Sequence, residues 1–391
     1  MNNIIFSDVE TPCFVIDTDF FKKSLESFQS AMSKYFKNFI FSYSVKTNSL
    51  PYILKKAKEC GCYAEVVSSD EYVLAKLCGF KPHEIIYNGP AKNKETFIEA
   101  VENGAYVNLE TKRELDWLKE CCKKNNNNIG LRINIDLGKI SPEDANVGAE
   151  ESRFGFSYET GEFAEAVNMI KNLGFSVKGI HAHRGTKTRS LNAYKAISSY
   201  VSLVVKELNL SLDYVDVGGG YYGNMPNKPD YDEYMKTINE NLCFSYNTLI
   251  VEPGNGVIAT PVDYVLSVVD EKKVGNKIFL QTDGTRLDID PMFHKTTYMF
   301  EILNNNRDCS FAQILGGCTC MENDRILELN NEKELHVGDR VLFHCLGAYT
   351  MCLTPNFIRN PPRIYAVENG KCSLVRRNWD ASSWFIGSIE E

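Results

Sequence analysis

The sequence lacks the features that would direct it to a membrane or out of the cell. The first residues, MNNIIFSDVE, contain no basic start followed by an apolar core, so no signal peptide is expected. No apolar run is long enough to span a bilayer. Positively charged residues are also outnumbered: there are 43 lysines and arginines against 51 acidic residues, which gives a net charge of −8. The sequence therefore predicts a cytoplasmic protein with neither a nucleic acid nor a membrane as partner.

The 13 cysteines show no metal-binding pattern. Their spacing is irregular and no CxxC pair occurs, which argues against a zinc ribbon, and no metal site is predicted. In a chain of this size without a signal peptide, we expect reduced thiols, most of them small buried core residues.

The length of 391 residues is too great for one ordinary core, so two domains are expected. Strand-like apolar runs alternate with helical segments along the first two-thirds of the chain, the earlier ones about 22 residues apart, as in compact strand–loop–helix–loop units. Eight alternating units predict a closed, TIM-like (β/α)8 barrel over residues 20–260. The runs start at Phe39, Cys62, Glu84, Tyr106, Ile129, Val177, Leu212 and Thr248.

The pattern changes from Pro261 onward, where most runs are β-rich and Asn369-Gly370 is a hairpin turn signal. We predict an all-β domain that combines residues 261–391 with residues 1–19. The N-terminal strand TPCFVID, from Thr11 to Asp17, is expected to join it.

Polar or glycine residues end almost every predicted barrel strand. Because active residues of a barrel gather where its strands end, this arrangement predicts a ligand-binding mouth. The residues are Lys46, Ser68, Asn88, Asn108, Arg132, Asn134, His183, Gly218–Gly220 and Glu252–Gly254.

Lys46 is the most informative of these residues, since it closes the apolar run FIFSYSVK. Desolvation lowers the pKa of a lysine and frees its amine as a nucleophile. Such a lysine suits a Schiff base with a carbonyl cofactor. The ordinary alternative is a lysine that extends its charge from a strand end into water.

Further motifs complete a possible cofactor site. Gly218–Gly220 and the EPG motif at 252–254 end the seventh and eighth runs, where barrels often bind phosphate. Glu252 could pair with a protonated pyridine nitrogen, and His183 could stack on a flat ring. A surface salt bridge and a core histidine are the alternatives. Together with Lys46, these residues describe a site for pyridoxal 5′-phosphate.

The sequence resembles the fold-type III pyridoxal-phosphate amino-acid decarboxylases, the group of ornithine, arginine and diaminopimelate decarboxylases. The resemblance runs from TPCFVID to the RNPPR segment near Pro361. It implies an alanine-racemase-like architecture, a homodimer with shared active sites, and α-decarboxylation of an amino acid as the activity of this lyase.

The resemblance also implies residue roles. Lys46 in SVKTN is expected to form the Schiff base, and Cys320 in CTCMEND resembles a catalytic cysteine lent across the dimer interface. The other expected cofactor-binding residues are Arg132, the stacking His183, Thr186, Gly219, Gly220, Glu252, Gly254 and the phosphate-contacting Tyr349. The expected substrate-binding residues are Asp283, Asp290, Glu322 and Asp324.

Two departures from the family pattern bear on phosphate and substrate. After EPG the family usually has an arginine that binds the phosphate. This chain has Asn255 there, so other residues must supply part of the phosphate binding. Diaminopimelate decarboxylases hold the distal carboxylate with an arginine before a proline. Here Asp290 precedes Pro291 and is expected to repel a carboxylate, although Arg286 could still serve an anionic group. The expected substrate therefore has a basic or neutral distal group.

Several alternatives stay open. The substrate could be diaminopimelate, or, given Met321 directly after Cys320, a conjugated or carrier-tethered amino acid of a biosynthetic pathway. An amino-acid racemase would need acid/base groups on both faces of Cα. A catalytically silent regulator is opposed by the retention of Lys46, Glu252 and Cys320. In the preferred hypothesis, Cys320 or Lys46 returns a proton to Cα after CO2 leaves.

Overall fold

The computed structural model describes residue 6 and residues 9–124, 127–145, 152–223, 225–303, 307–308, 312–330 and 332–389. The chain forms two compact units. The barrel unit is Lys22–Val257, and the β unit combines Met1–Phe21 with Ile258–Glu391. The chain starts in the β unit with strand β1 (Cys13–Asp17) and runs through helix α1 (Thr18–Tyr35) into the barrel unit.

Eight parallel strands of the described chain form a closed barrel, as the sequence predicts. Pairing of Asn108 with Gly130 joins the fourth of these strands to the fifth and closes the ring. A short extra strand, Phe156–Ser157 (β7), pairs only with the strand before it. The barrel strands are β2 (Phe39–Ser44), β3 (Tyr63–Ser68), β4 (Ile85–Ala91), β5 (Tyr106–Leu109), β6 (Asn128–Asn134), β8 (Gly179–His181), β9 (Tyr214–Asp216) and β10 (Thr248–Val251).

Glycines at two strand positions make room for the large ring of Tyr214. A Cβ atom on Gly130 or on Gly179 would clash with this side chain. The strands are apolar because parallel strands are covered on both faces. Tyr214 accordingly packs in a buried cluster with isoleucines of three other strands, Ile40, Ile86 and Ile250.

Helices follow the barrel strands, and their caps agree with the sequence pattern. Ser68 caps α3 (Ser69–Leu77), because its hydroxyl accepts a hydrogen bond from the Glu71 N–H at 3.1 Å. Within the described residues, no helix has both the length and the apolar character needed to cross a membrane. The helices are α2 (Pro51–Glu59), α3 (Ser69–Leu77), α4 (Lys94–Glu102), α5 (Lys112–Leu118), α6 (Leu137–Ile140), α7 (Glu162–Asn172), α8 (Leu191–Glu207), α9 (Tyr231–Asn241) and α10 (Asn255–Ile258).

The β unit is built on one sheet in which β1 is a central strand, antiparallel to β11 (Val262–Val274) and parallel to β17 (Arg363–Glu368). The predicted role of the N-terminal strand is therefore confirmed. The sequence did not predict the four-residue strands β13 (Phe300–Leu303) and β14 (Gln313–Gly316). The strands are β11 (Val262–Val274), β12 (Lys277–Thr282), β13 (Phe300–Leu303), β14 (Gln313–Gly316), β15 (Arg325–Leu329), β16 (Arg340–Phe343), β17 (Arg363–Glu368) and β18 (Lys371–Arg376), with short helices α11 (Arg286–Ile289) and α12 (Ala381–Phe385).

The predicted hairpin turn joins β17 to β18. Asn369 and Gly370 both have positive φ angles, 51° and 74°. Two successive residues in this left-handed region match the twist of antiparallel strands, and asparagine and glycine adopt it at low cost. Antiparallel pairing of β17 with β18 confirms the turn.

Candidate active site

The polar site of the barrel unit begins at Lys46, in the turn after β2. Its Nζ donates hydrogen bonds to Glu65 Oε2 at 2.6 Å and to Ser44 Oγ at 2.8 Å. The Lys46 side chain is 34% exposed, whereas that of Glu65 is 1% exposed. Breaking such a pair would leave a buried carboxylate without its counter-charge, so the pair holds the amine firmly at the edge of the barrel interior.

Two asparagines extend this network to Glu252. Asn88 Nδ2 lies 2.5 Å from Glu252 Oε1 and 3.3 Å from Glu65 Oε1, and donates to both. Asn108 Nδ2 donates to Asn88 Oδ1 at 2.9 Å, and the Tyr214 hydroxyl donates to Asn108 Oδ1 at 2.8 Å. All of these side chains are buried. The Asn108 amide thus orients that of Asn88, and Asn88 Nδ2 connects the carboxylates of Glu65 and Glu252.

Glu252 belongs to a buried cluster with Asp216 and His181. Burial, and then the charge of Glu252, raise the pKa of Asp216 well above its usual range. Burial opposes ionisation of Glu252, but His181, a hydrogen bond from Asp216 and the charge of Lys46 hold the pKa of Glu252 well below its usual range. Asp216 therefore keeps the proton of the pair, and Glu252 is ionised.

The same three side chains place donor atoms within 4.8 Å of one another, a spacing that would also suit a cation. His181 Nε2 lies 3.6 Å from Glu252 Oε2, beyond an ordinary hydrogen bond, and neither ring nitrogen has a hydrogen-bond partner. A proton shared by the two carboxyl groups already removes their mutual repulsion. The sequence-based expectation of no metal site stays a prediction.

His183 follows β8, and the protein holds its ring in a fixed position. The ring Nδ1 accepts a hydrogen bond from the Gly219 N–H at 3.3 Å. A Cβ atom on Gly218 would lie 2.5 Å from Nδ1, so only glycine leaves the ring its space. Burial, and then the charges of Arg132 and Lys46, lower the pKa of His183 to about 3. The imidazole is therefore a neutral flat ring at pH 7.

Arg132, at the end of β6, is paired with Glu110 through Nη1 and Oε2 at 2.8 Å. Its Nη2 donates to the His183 carbonyl at 3.4 Å, while its buried Nε has no hydrogen-bond partner. Asn134, the other predicted residue on this strand, donates to two carbonyls of the following loop at 2.6 and 2.9 Å. Arg132 thus retains a donor for a ligand, whereas Asn134 fixes the loop.

Two glycine loops, 218–223 and 254–256, meet where β9 and β10 end. A Cβ atom on Gly219 would clash with the Glu252 carbonyl oxygen, and one on Gly254 with the side chain of Thr47. Glycine is therefore required for the close approach of these segments. Backbone of this kind can turn several N–H groups toward an anion.

The acidic residues predicted in the β unit are bonded within that unit. Asp324 accepts hydrogen bonds from the hydroxyls of Thr285 at 2.9 Å and Thr319 at 2.7 Å, and from two backbone N–H groups at 2.8 and 3.1 Å. Asp283 accepts from the Thr11 hydroxyl at 2.6 Å and from a backbone N–H at 2.8 Å. These contacts indicate that both carboxylates stabilise the β unit, which the sequence analysis did not predict.

Asp290 requires a correction, because the sequence suggested a free negative charge. Its buried carboxylate accepts hydrogen bonds from Arg286 Nη2 at 2.9 Å and Nε at 3.2 Å, and from the N–H groups of His294 and Lys295 at 2.9 and 3.1 Å. Arg286 neutralises this charge and is itself committed to it. The argument that Asp290 would repel a distal carboxylate therefore loses its basis.

The remaining candidates of the β unit lie at its surface. Cys320 is exposed, and the Glu322 side chain is fully exposed. Cys318, two residues before, is half-buried, and burial raises the pKa of its thiol to about 11. Tyr349 is 44% exposed and has a positive φ of 55°. Of the two neighbouring thiols, Cys320 is the one that a ligand or a second chain can reach.

Comparison with known proteins identifies the family. Residues 22–259 match the profile of the family described as "Pyridoxal-dependent decarboxylase, pyridoxal binding domain". The chain belongs to this decarboxylase family. It is 27% identical to the diaminopimelate decarboxylase of Aquifex aeolicus over 391 residues, which cover 95% of this chain and 90% of that protein.

Solved structures of other members share the fold of this decarboxylase. Diaminopimelate decarboxylase from M. jannaschii superposes with a TM-score of 0.88 at 22% identity, covering all of this chain and 94% of that one. The Helicobacter pylori enzyme complexed with L-lysine gives 0.84 at 23% identity and covers 98% of both chains. The chain is thus an amino-acid decarboxylase that depends on pyridoxal 5′-phosphate, which decides against a racemase or a silent regulator.

The barrel unit of this decarboxylase fits its cofactor. It offers an amine for an aldehyde, an ionised carboxylate for a ring nitrogen, a neutral flat ring and glycine loops for a phosphate. Among the buried polar atoms without hydrogen-bond partners in the described residues, both nitrogens of His181 and Nε of Arg132 lie at these strand ends. Buried donors left unpaired are expected where a ligand completes the site.

Several site residues were missed by reasoning from the sequence. Glu65, Asp216 and His181 lie inside apolar runs, as AEVV, YVDV and GIHA, and so were counted as strand interior. The available signal was a lone charged or titratable residue in a strand that is buried on both faces. Glu110 and Arg189 were missed because their partners come from distant segments.

Proposed function

We propose that Lys46 Nζ binds the aldehyde carbon of pyridoxal 5′-phosphate covalently. The observation that carries this proposal is the Lys46–Glu65–Asn88–Glu252 network, which connects the Lys46 amine through Glu65 and Asn88 to the carboxylate suited to the ring nitrogen. Glu65 and Ser44 hold the ammonium protons of Lys46. Glu65 can take up the proton that the amine must lose before it acts as a nucleophile.

The other residues hold the cofactor in this proposal. Glu252 pairs with the ring nitrogen and His183 stacks on the ring, while Arg132 contacts the cofactor with its remaining donor. Thr186, Gly219, Gly220, Gly254 and Tyr349 hold the phosphate. When bound, pyridoxal phosphate supplies an electron-accepting pyridinium ring that stabilises negative charge at the substrate Cα as CO2 leaves. The ionised state of Glu252 supports a protonated ring nitrogen.

A proton must reach Cα after CO2 has left. Lys46 and Cys320 are the two candidates in this chain. The exposure of Cys320 supports a role toward a second chain, as in a homodimer with shared active sites. The many thiols of the sequence further support a reducing, cytoplasmic setting.

We propose diaminopimelate as the first substrate to test. The relatives above carry this activity in their names, and the Arg286–Asp290 pair removes the expected repulsion of a distal carboxylate. Loss of one CO2, with a proton taking its place at Cα, turns diaminopimelate into lysine. The second candidate is a basic amino acid such as ornithine or arginine. The lack of an arginine before Pro291, where one is expected for a distal carboxylate, favours it.

A panel of substrates tests the proposal. The cofactor-loaded chain is incubated with the meso, LL and DD isomers of diaminopimelate and with both enantiomers of ornithine, lysine and arginine, and products are read by mass spectrometry. We expect lysine from one diaminopimelate isomer and nothing with Lys46→Ala, while Lys55→Ala, an exposed lysine, serves as control. Release of CO2 from a basic amino acid alone would transfer the assignment to the second candidate. If nothing reacts, a conjugated amino acid becomes the proposal.

A further inference from the structure

At the phosphate end of the proposed site, one expected positive charge is missing, and an arginine nearby, Arg189, has no role in the proposed mechanism. Asn255 stands directly after EPG, where the resemblance leads one to expect an arginine. The Asn255 side-chain oxygen accepts hydrogen bonds from Arg189 Nη1 at 2.6 Å and Nη2 at 2.8 Å, in the amide orientation that satisfies both groups. A guanidinium therefore lies against the side chain that stands in place of the usual arginine.

Arg189 is held there by its backbone and its neighbours. Its φ of 52° is unusual for a residue with a side chain. Its N–H donates to Thr186 Oγ1 at 2.9 Å, and its carbonyl accepts from the Tyr234 hydroxyl at 2.7 Å. Its guanidinium lies 5.1 Å from the ring of Tyr222. Backbone strain that the surroundings enforce in this way is a feature of ligand-binding positions.

The neighbours of Arg189 belong to the glycine loops. Tyr222 is part of loop 218–223, and Asn255 is part of loop 254–256. These loops touch each other, since a Cβ atom on Gly223 would lie 2.6 Å from the Gly256 carbonyl oxygen. Arg189 thus adds a positive charge to backbone that is already shaped for an anion.

The charge of Arg189 has no acidic partner among the described residues. None of the ion pairs in that part of the chain involves it. Asp144, which contacts the same loop, instead accepts hydrogen bonds from the hydroxyls of Thr188 and Ser190. The half-buried Arg189 guanidinium is hydrogen-bonded to a neutral amide, so its positive charge is not compensated and can bind a phosphate.

We propose that Arg189 supplies the positive charge for the cofactor phosphate, and that Asn255 is a positioning residue that holds its guanidinium. The charge has moved from the loop after β10 to the loop after β8. An arginine at 255 would repel Arg189, whereas asparagine orients both of its Nη groups. This inference concerns cofactor binding alone and does not depend on which amino acid is the substrate.

The test compares the affinity of the apo chain for pyridoxal 5′-phosphate and for pyridoxal, which lacks the phosphate. Both Kd values are measured from the absorbance of the bound cofactor, without any substrate. Arg189→Gln should weaken binding of the phosphorylated cofactor by about 10- to 100-fold, the range for a lost charge-assisted hydrogen bond, with less than about twofold change for pyridoxal. Lys187→Gln, an exposed charge of the same loop, is the matched control and should change neither value.

A charge-relocation variant makes the test sharper. In the double variant Arg189→Gln with Asn255→Arg, the cation returns to the position after EPG, and affinity for the phosphorylated cofactor should recover to within about fivefold of the original. Arg189→Lys keeps the charge but loses the planar guanidinium, so its affinity for the phosphorylated cofactor should lie between those of the original chain and of Arg189→Gln. It replaces Arg189→Gln in the test if that variant does not fold. Equal losses for both cofactors, or no loss for either, would overturn the proposal, whatever the substrate panel shows.

Discussion

The two units use buried carboxylates in opposite ways. In the β unit, Asp324 and Asp290 collect several donors from their own neighbouring loops. In the barrel unit, Glu252 lies beside Asp216 and beside a His181 whose ring nitrogens lack hydrogen bonds. The first arrangement stabilises a fold, while the second costs stability, which favours the proposed role of Glu252 in binding the cofactor. The number of local donors thus separates structural acids from functional ones more clearly than burial does.

The largest expected effect is on activity, in the barrel unit. Glu252→Gln should lower kcat on the order of 10²-fold, because the amide cannot keep a ring nitrogen protonated. The same change should leave the apo chain as stable as before or slightly more stable, by about 0–1 kcal/mol, since one of two crowded carboxylates is gone. Activity and urea unfolding of one preparation measure both. A clear loss of stability with normal kcat would place Glu252 among the structural acids.

The β unit should respond in the opposite sense. Asp324→Ala removes the acceptor of four hydrogen bonds, and we expect the free energy of unfolding to fall by about 3 kcal/mol. The KM of the folded fraction should stay within about twofold. Glu322→Ala, on the same loop but fully exposed, is the control and should change stability by less than about 0.5 kcal/mol. A raised KM at unchanged stability would restore the substrate-binding role expected from the sequence.

The smallest effect concerns Glu71, which lies near Glu65 and Lys46. Burial, and then the charge of Glu65, raise the pKa of Glu71 from its ordinary 4.5 to about 7. The folded chain binds this proton more tightly than the unfolded chain, so the stabilisation is complete below pH 4.5 and is lost as pH rises through about 7. Glu71→Gln should therefore be more stable than the parent at pH 8, by about 1–2 kcal/mol, and nearly equal at pH 4.5. Thermal unfolding at both pH values decides, and a constant difference would refute the titration.

Much of the barrel could be predicted because its signals are local. Each apolar run and each capping serine lies within a few residues of the element that it specifies, as Ser68 does for α3. Strand ends such as Lys46, Asn88 and Arg132 were found because a barrel gathers them by topology alone. The short strands β13 and β14 were not predicted, although β16, which is equally short, was.

The site could be predicted only in part, since pairing is a tertiary property. The Arg286–Asp290 pair is an exception, since its residues are only four positions apart and the pairing could have been anticipated, whereas the turn of the His294 and Lys295 N–H groups toward Asp290 could not. Likewise, Arg189 and Asn255 are 66 positions apart (255 minus 189), so their contact could not be anticipated. Sequence reasoning identified which residue types the chemistry needs, and the structure shows which of them already have partners.

The central claim is that the cofactor is bound at the end of β2, through Lys46. Borohydride reduction of the chain loaded with pyridoxal 5′-phosphate, followed by peptide mapping, tests it most directly. The account predicts a phosphopyridoxyl label on Lys46, and in Lys46→Ala neither this label nor measurable decarboxylation, a loss on the order of 10³-fold or more. A label on another lysine, such as the buried Lys92, with normal turnover of Lys46→Ala, would contradict it.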